Sequence, residues 1–161
     1  MSAVTIRAAT PADALGIAAT FLESARHHAR LDPVRYRVPA IEAIVARCGA
    51  QPPPSPDTPV MTLIAEHNGE IVGFVEARCE TSPDPMHKDV MLCHVLEIAV
   101  RRRQRSRGIG AELLRAVEDW GRGNGAAFAL LEFHAANTRA GEFYQRRLGY
   151  TVAAITAIKP L

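Results

Sequence analysis

Cysteine is scarce and scattered: the chain has three, Cys48, Cys79 and Cys93. No two form a Cys-x-x-Cys pair, and the six histidines make no His-x-x-x-His pattern. A disulfide framework and a structural zinc site are therefore unexpected, and no metal is assigned. The neighbours Cys93 and His94 can be read as a nucleophile and its base, although a buried strand thiol is the commoner meaning of such a cysteine. No apolar run reaches the roughly 18 residues of a membrane span, so no membrane partner is expected. The stretch from Met1 to Arg7 lacks the apolar core of a secretory signal, which makes the cytoplasm the expected compartment. Glycine and proline, 11 each in 161 residues, are too few for a collagen-like or linker-like chain.

What is present fits an ordinary folded domain. Hydrophobic residues make up 48% and charged residues 22%, which excludes a disordered chain. A chain of this length buries about 68–70% of its unfolded surface and folds without a staple, so residues 1–161 are expected to form one domain. The net charge of +2 hides an uneven distribution. Arg101, Arg102, Arg103, Arg105 and Arg107 fall within seven positions; with those five set aside, 14 of the 19 basic residues face 17 acidic ones. One cationic cluster on a mildly acidic body suits a single anionic ligand group. A nucleic-acid groove would need a longer basic track with interleaved aromatics, so no nucleic acid is expected as partner.

Local patterns give the element order. Val4 to Arg7 alternates as an opening strand. Thr10-Pro11-Ala12-Asp13 starts a helix with a cap, a first-turn proline and an acid at the positive end. Leu15, Ala18, Phe21, Leu22 and Ala25 supply its apolar face. A second helix runs from Pro39 to Cys48 and stops at Gly49, followed by a proline-rich loop, Gln51 to Pro59. Val60–Glu66 and Ile71–Glu80 flank Asn68-Gly69, the strongest hairpin signal in the chain. A loop from Thr81 to Met86 leads to an apolar strand, Val90–Val100. Ile109, Leu113, Val117 and Trp120 then recur at helical spacing up to Gly121. Ala127–His134 reads as a strand, Asn137–Leu148 as a helix, and Tyr150–Ile158 as a last strand. The fold class is α/β, a mixed sheet whose parallel part lies towards the C-terminus.

The segment that carries chemistry is Val95 to Gly110. A buried strand delivers the chain to an arginine-rich loop, and Gly108 and Gly110 open a helix whose free N–H groups face whatever sits there. Such a nest binds phosphate or pyrophosphate, with flanking arginines adding charge-assisted bonds. No Gly-Lys-Ser/Thr follows, so a Walker loop is excluded, and the third glycine of a dinucleotide fingerprint is missing.

Arg105-Ser106-Arg107-Gly108-Ile109-Gly110, following Ile98-Ala99-Val100, resembles the acetyl-CoA loop Gln/Arg-x-x-Gly-x-Gly/Ala of the GNAT superfamily of N-acetyltransferases. A second block, Leu131 to Asn137 with Ala140, Phe143-Tyr144 and Gly149-Tyr150, is similar to that family's fifth strand and fourth helix. The resemblance implies a mixed central sheet flanked by helices, with splayed parallel fourth and fifth strands. It further implies acetyl-CoA as acyl-donor cosubstrate, its pyrophosphate on Arg105, Ser106, Arg107, Gly108, Ile109 and Gly110. Ile98, Ala99 and Val100 would bond pantetheine through their backbone, and N–H groups near Val100 would polarise the thioester carbonyl. Asn137 would cap its helix and touch the cofactor, and Tyr144 would sit near the thioester sulfur as general acid. Glu97 and Glu132, each read within an apolar strand where a carboxylate's pKa tends to rise, are the candidate general bases. His27, His28 and His94 are weaker candidates for acceptor contacts.

One departure concerns the C-terminus. The family's closing hairpin is shortened, because only Thr151 to Leu161 follow Tyr150. The acceptor site is then open, or a partner chain completes it, as in a homodimer. The expected activity is acetyl transfer to a primary amine of unknown identity, a small molecule ahead of a protein N-terminus or lysine. A non-catalytic acyl-CoA-binding sensor on the same fold is the alternative.

Overall fold

Asn68 and Gly69 both adopt left-handed backbone conformations, φ 53° and 76°, as a tight hairpin turn requires. In the computed structural model, which describes residues 3–49, 55, 57–82 and 84–159, this turn joins β2 (Val60–His67) to β3 (Glu70–Thr81). The proline-rich loop, Gln51 to Pro59, lies largely outside the described residues. Strand β1 (Thr5–Ala8) and β4 (Met91–Val100) pair antiparallel with the hairpin on either side, and β5 (Phe128–Leu131) adds in parallel to β4. The sheet order is β1-β2-β3-β4-β5.

Helices cover both faces. Thr10 and Asp13 form the expected capping box at the turn Pro11–Asp13, which leads into α1 (Ala14–Leu31). Asp13 also accepts two bonds from Arg7, whose guanidinium holds the carboxyl far below its usual range. The buried face of α1 is Ile17, Ala18, Thr20, Ser24 and Ala25; Leu15, expected inward, is exposed. The apolar stripe is therefore centred one position further round the helix than the spacing from Leu15 suggests. With α2 (Ile41–Gly49), α1 packs on the face of the sheet that carries Ile64, Phe74 and Ala99.

On the other face, α3 (Ile109–Gly123) buries Ile109, Leu113, Leu114 and Val117 against Val72, Val75, Ala77, Cys79, Cys93 and Val95. Gly121 permits this approach, since a Cβ there would lie 2.6 Å from Cβ of Cys93. Helix α4 is short (Thr138–Glu142) and continues as a π-helical turn, Phe143–Arg147, where an unbroken α-helix to Leu148 was expected. No helix among the described residues is long and apolar enough to cross a membrane.

Two further expectations fail at the C-terminal side. Strand β5 is four residues long and stops at Leu131, short of the anticipated His134. The last strand does not form: residues 151–159 are exposed and pair with nothing in the sheet.

Candidate active site

The site begins where β4 and β5 part. The two strands pair from Leu92 and Phe128 to Val95 and Leu131; β5 then ends, while β4 runs on through Glu97 to Val100. A bulge helps the divergence: Ala77 faces Val95 and Glu76 faces Glu97, so Leu96 has no opposite number on β3. The result is the expected pair of splayed parallel strands. Ile98 and Val100 point to the α3 side with Phe143 and Tyr144, and Ala99 points to the α1 side.

Beyond Val100 the chain makes an anion cradle. Ser106 (φ 64°) and Gly108 (φ 88°) both take left-handed conformations, the latter capping α3. Alternating such residues with right-handed ones turns successive N–H groups towards one point. Among the described residues, the N–H groups of Ser106, Arg107, Gly108, Ile109 and Gly110 meet no protein acceptor, while Gly108 itself accepts from Ala111 and Glu112. Arg105 is half-buried and donates through Nε to the carbonyl of Val100 at 2.9 Å, which fixes the loop to the strand end. Burial, then the cations Arg139, Arg102 and Arg30, hold the Arg105 guanidinium below its ordinary pKa. Arg139 reaches across from α4 to donate to Ser106 Oγ at 3.0 Å. Guanidinium groups brought together around free amides describe a site for a polyanion. Arg101 turns away, to Thr20 and Glu70, and the Arg102 amide is taken by Glu23.

The splayed strands carry two titratable groups. Burial first, then the neighbouring Glu76, raises Glu97 to about 7. Arg47 on α2 bridges Glu76 at 3.1 Å and reaches Glu97 only by its field. The direct partner of Glu97 is Ser24 Oγ, at 3.5 Å. Tyr144, largely buried on the π-helical turn, is pushed up to about 12 by burial and by the charge of Glu97. Glu97 and Tyr144 therefore share one electrostatic environment. Neutral Tyr144 and a carboxylate that titrates near physiological pH make an acid–base pair.

A wall of aromatic and imidazole rings adjoins them. Ser24 Oγ lies 3.4 Å from His28 Nδ1; His28 stacks on Tyr36 at 5.4 Å between centroids, and Tyr36 meets His134 at 6.0 Å. Asp32 holds His134 at 3.4 Å. His27 is kept below its usual pKa by burial first and by His28 and Arg105, against an opposing effect of Asn137. Asn137 also caps α4, accepting from Ala140 at 3.3 Å as expected.

Two sequence readings change. Glu132 lies one residue past the end of β5 and is exposed, so the desolvation that made it a candidate base is absent. Cys93 and His94 point to opposite faces: the thiol is buried under α3 and raised to about 12 by burial, and His94 bonds Glu80 at 3.0 Å. They make no nucleophile–base dyad. Ser24, Tyr36, Arg47, His134 and Arg139 were not singled out, because each reaches the site through a contact distant in sequence. For Arg139 the signal was present, two positions after the helix cap Asn137.

Free amides and guanidinium groups at a helix start thus open into a split between parallel strands that carries Glu97, with Tyr144 within reach of its charge. The sequence profile of the acetyltransferase (GNAT) family matches residues 50–150. The chain belongs to the GNAT acetyltransferase family. Among solved structures it is similar to a tetramutant of the BH1408 protein from Bacillus halodurans (TM-score 0.82, 19% identity, 98% of this chain and 99% of that one). It is also similar to AAC(6')-Iy bound to the bisubstrate analogue CoA-S-monomethyl-acetylneamine (TM-score 0.72, 19% identity, 99% of each chain). A third is the aminoglycoside acetyltransferase HMB0005 from an uncultured soil metagenomic sample (TM-score 0.68, 20% identity, 99% of each chain). At these identities the likeness establishes the fold.

Proposed function

We propose that the protein transfers an acetyl group from acetyl-CoA to a primary amine, with a small-molecule amine favoured over a protein N-terminus or lysine. The observation that carries this reading is Glu97, a desolvated carboxylate whose direct partner among the described residues is Ser24 and whose charge is felt by Tyr144. The amides of Ser106–Gly110 with Arg105, Arg107 and Arg139 would hold the pyrophosphate of acetyl-CoA. The edge of β4 from Ile98 to Val100, beyond the end of β5, offers backbone groups to the amides of pantetheine. The His28–Tyr36–His134 wall would bound the acceptor.

An amine with a pKa near ~10.4 is protonated at neutral pH and cannot attack a thioester. Glu97, ionised above about 7, takes a proton from the ammonium group, directly or through water. The free amine attacks the thioester carbon; a C–N bond forms and the C–S bond breaks. The leaving thiolate, with a thiol pKa of roughly 8.5, gains from a hydrogen bond as charge builds on sulfur. Tyr144 at about 12 is too weak an acid to give its proton up fully, so it donates the hydrogen bond. Amide formation sheds a second proton from nitrogen; of the two, one reaches the thiolate and the other passes to solvent, which restores both groups. The structural likeness to AAC(6')-Iy, solved with the bisubstrate analogue CoA-S-monomethyl-acetylneamine, supports a small-molecule amine as acceptor.

The test is an acetyl-CoA consumption screen over polyamines, aminoglycosides, amino acids and peptide N-termini. Turnover confined to small amines supports the proposal. Tight acetyl-CoA binding with no turnover on any amine would instead favour a sensor.

A further inference from the structure

A hydroxyl that is to donate to sulfur cannot be tied up on another acceptor, so Tyr144 has to be placed through its backbone and its ring. Both lead to Tyr150. The Tyr150 N–H donates to the Tyr144 carbonyl at 3.1 Å, and the two rings meet edge-on at 6.1 Å between centroids. Gly149, at φ 78°, turns the chain back so that both contacts are made at once. In an ordinary helix ending of this kind the accepting carbonyl would be that of Gln145. The π-helical turn Phe143–Arg147 takes in one extra residue, and the closing bond falls on Tyr144 instead. Phe133 and Phe143 add ring contacts to Tyr144 at 5.6 and 5.3 Å.

Tyr150 is itself anchored. Its hydroxyl donates to Glu118 Oε1 at 2.7 Å. Glu118 lies on α3, the helix that Gly108 caps at the anion cradle, and stands about 15 Å along the axis from that cap at about 1.5 Å per residue. Phe143, Tyr144 and Leu148 pack against the apolar side of α3, but such packing has no direction of its own. The Tyr150–Glu118 bond fixes a distance and an angle where the packing does not.

We propose that Tyr150 and Glu118 are positioning residues for acetyl transfer. The pair ties the π-helical turn that carries Tyr144 to the helix that opens at the anion cradle, so the donor to sulfur and the cofactor's anchor share one rigid element. The role rests on the reading of Tyr144 as hydrogen-bond donor to the leaving sulfur and goes beyond it, since both residues act through Tyr144.

Kinetics and fluorine NMR on the full chain test it. Tyr150→Phe removes only the hydroxyl, Glu118→Ala removes its acceptor, and Glu118→Gln keeps an oxygen that can accept. Tyr150→Phe and Glu118→Ala should each lower kcat roughly 10-fold, within the loss that a misplacement of about 1 Å can cause, with KM for acetyl-CoA changed less than about 2-fold. Glu118→Gln should recover most of what Glu118→Ala loses. In a Tyr144→Phe background, Tyr150→Phe should lower kcat no further, because the group it places is gone. Effects that multiply in that double variant would overturn the proposal. Full kcat in Tyr150→Phe beside an impaired Tyr144→Phe would overturn this role alone; full kcat in Tyr144→Phe would overturn the donor reading and this role with it. The chain has three tyrosines, so 3-fluorotyrosine labelling gives three resonances, and Tyr144→Phe identifies one of them. In Glu118→Ala, folded by circular dichroism, the Tyr144 line should shift or broaden while that of Tyr36 stays. A Tyr144 line that does not change would overturn the proposal whatever the kinetics. If Tyr150→Phe does not fold, Glu118→Ala against Glu118→Gln decides.

Discussion

Glu76 and Glu97 stand opposite one another on β3 and β4, and only Glu76 has a guanidinium against it, Arg47 at 3.1 Å. Two carboxylates in register resist ionising together, and the unpartnered one retains its proton to higher pH. This asymmetry leaves Glu97, the proposed base, titrating near neutrality. Removing Arg47 deprives Glu97 of an attractive field. Arg47→Met should move the acid limb of kcat/KM to higher pH by roughly 0.2–0.7 unit, taking the pair at about 0.2–1 kcal/mol and one unit at about 1.4 kcal/mol. A pH profile identical to that of the unaltered protein would contradict the coupling.

The same residue has a signature in stability. The folded-state pKa of Glu97, about 7, lies above its unfolded value of 4.5. Between those values the native state holds a proton that the unfolded state has released, so this group's contribution to stability falls as pH rises from 4.5 to 7. Glu97→Gln keeps the shape and abolishes the titration. Its stability relative to the unaltered chain should rise across that window by about 3 kcal/mol and level off above it. Urea unfolding at several pH values measures this. A difference independent of pH would mean that Glu97 is not desolvated as described.

Gly108, at φ 88°, sits where the pyrophosphate is proposed to approach. Gly108→Asp imposes a strained conformation and a negative charge on the cradle. CoA affinity by calorimetry should fall by about 100-fold or more, the loss of one or two charge-assisted bonds, while circular dichroism is retained. Unchanged affinity would remove the anion from this loop.

A purely structural prediction concerns Gly121. The added Cβ of Gly121→Ala would meet Cβ and Sγ of Cys93 at 2.6 and 2.8 Å. Both elements are core, so α3 must lift from β4 at a cost of about 1–3 kcal/mol in unfolding free energy. Unaltered stability would show that the helix has slack there.

How far the sequence discloses all this depends on the range of the interactions. The Asn68-Gly69 hairpin, the Thr10–Asp13 capping box and the Gly108 turn are decided within a few residues, and they stand where the pattern put them. The stripe of α3 is read equally well, because its apolar period is unbroken. Leu15 misleads, since an apolar residue in the first turn of α1 has no partner element above it. Val152 to Ile158 has strand composition but pairs with no strand of the sheet, and pairing is a matter of topology that composition does not carry. Glu132 and Glu97 look alike in sequence; one lies past the end of a shorter strand and the other lies in a bulge under α1. The contacts that tune Glu97, from Ser24, Arg47 and Glu76, come from three other elements.

Tyr144 supplies a further kinetic expectation. Tyr144→Phe removes one hydrogen-bond donor to the developing thiolate and should lower kcat by roughly 10²–10³-fold while acetyl-CoA binding changes little. Full activity under conditions where chemistry limits the rate would take the donor role from Tyr144.

The most direct test of the account is the pH dependence of kcat/KM for the best amine of the screen, measured for the unaltered protein and for Glu97→Gln. The unaltered enzyme should lose activity below an apparent pKa near 7, the value to which burial and Glu76 raise Glu97. In Glu97→Gln activity should be much reduced at neutral pH and recover only towards higher pH, where the amine is already free. A limb near neutrality that persists in Glu97→Gln would contradict the assignment of Glu97 as base.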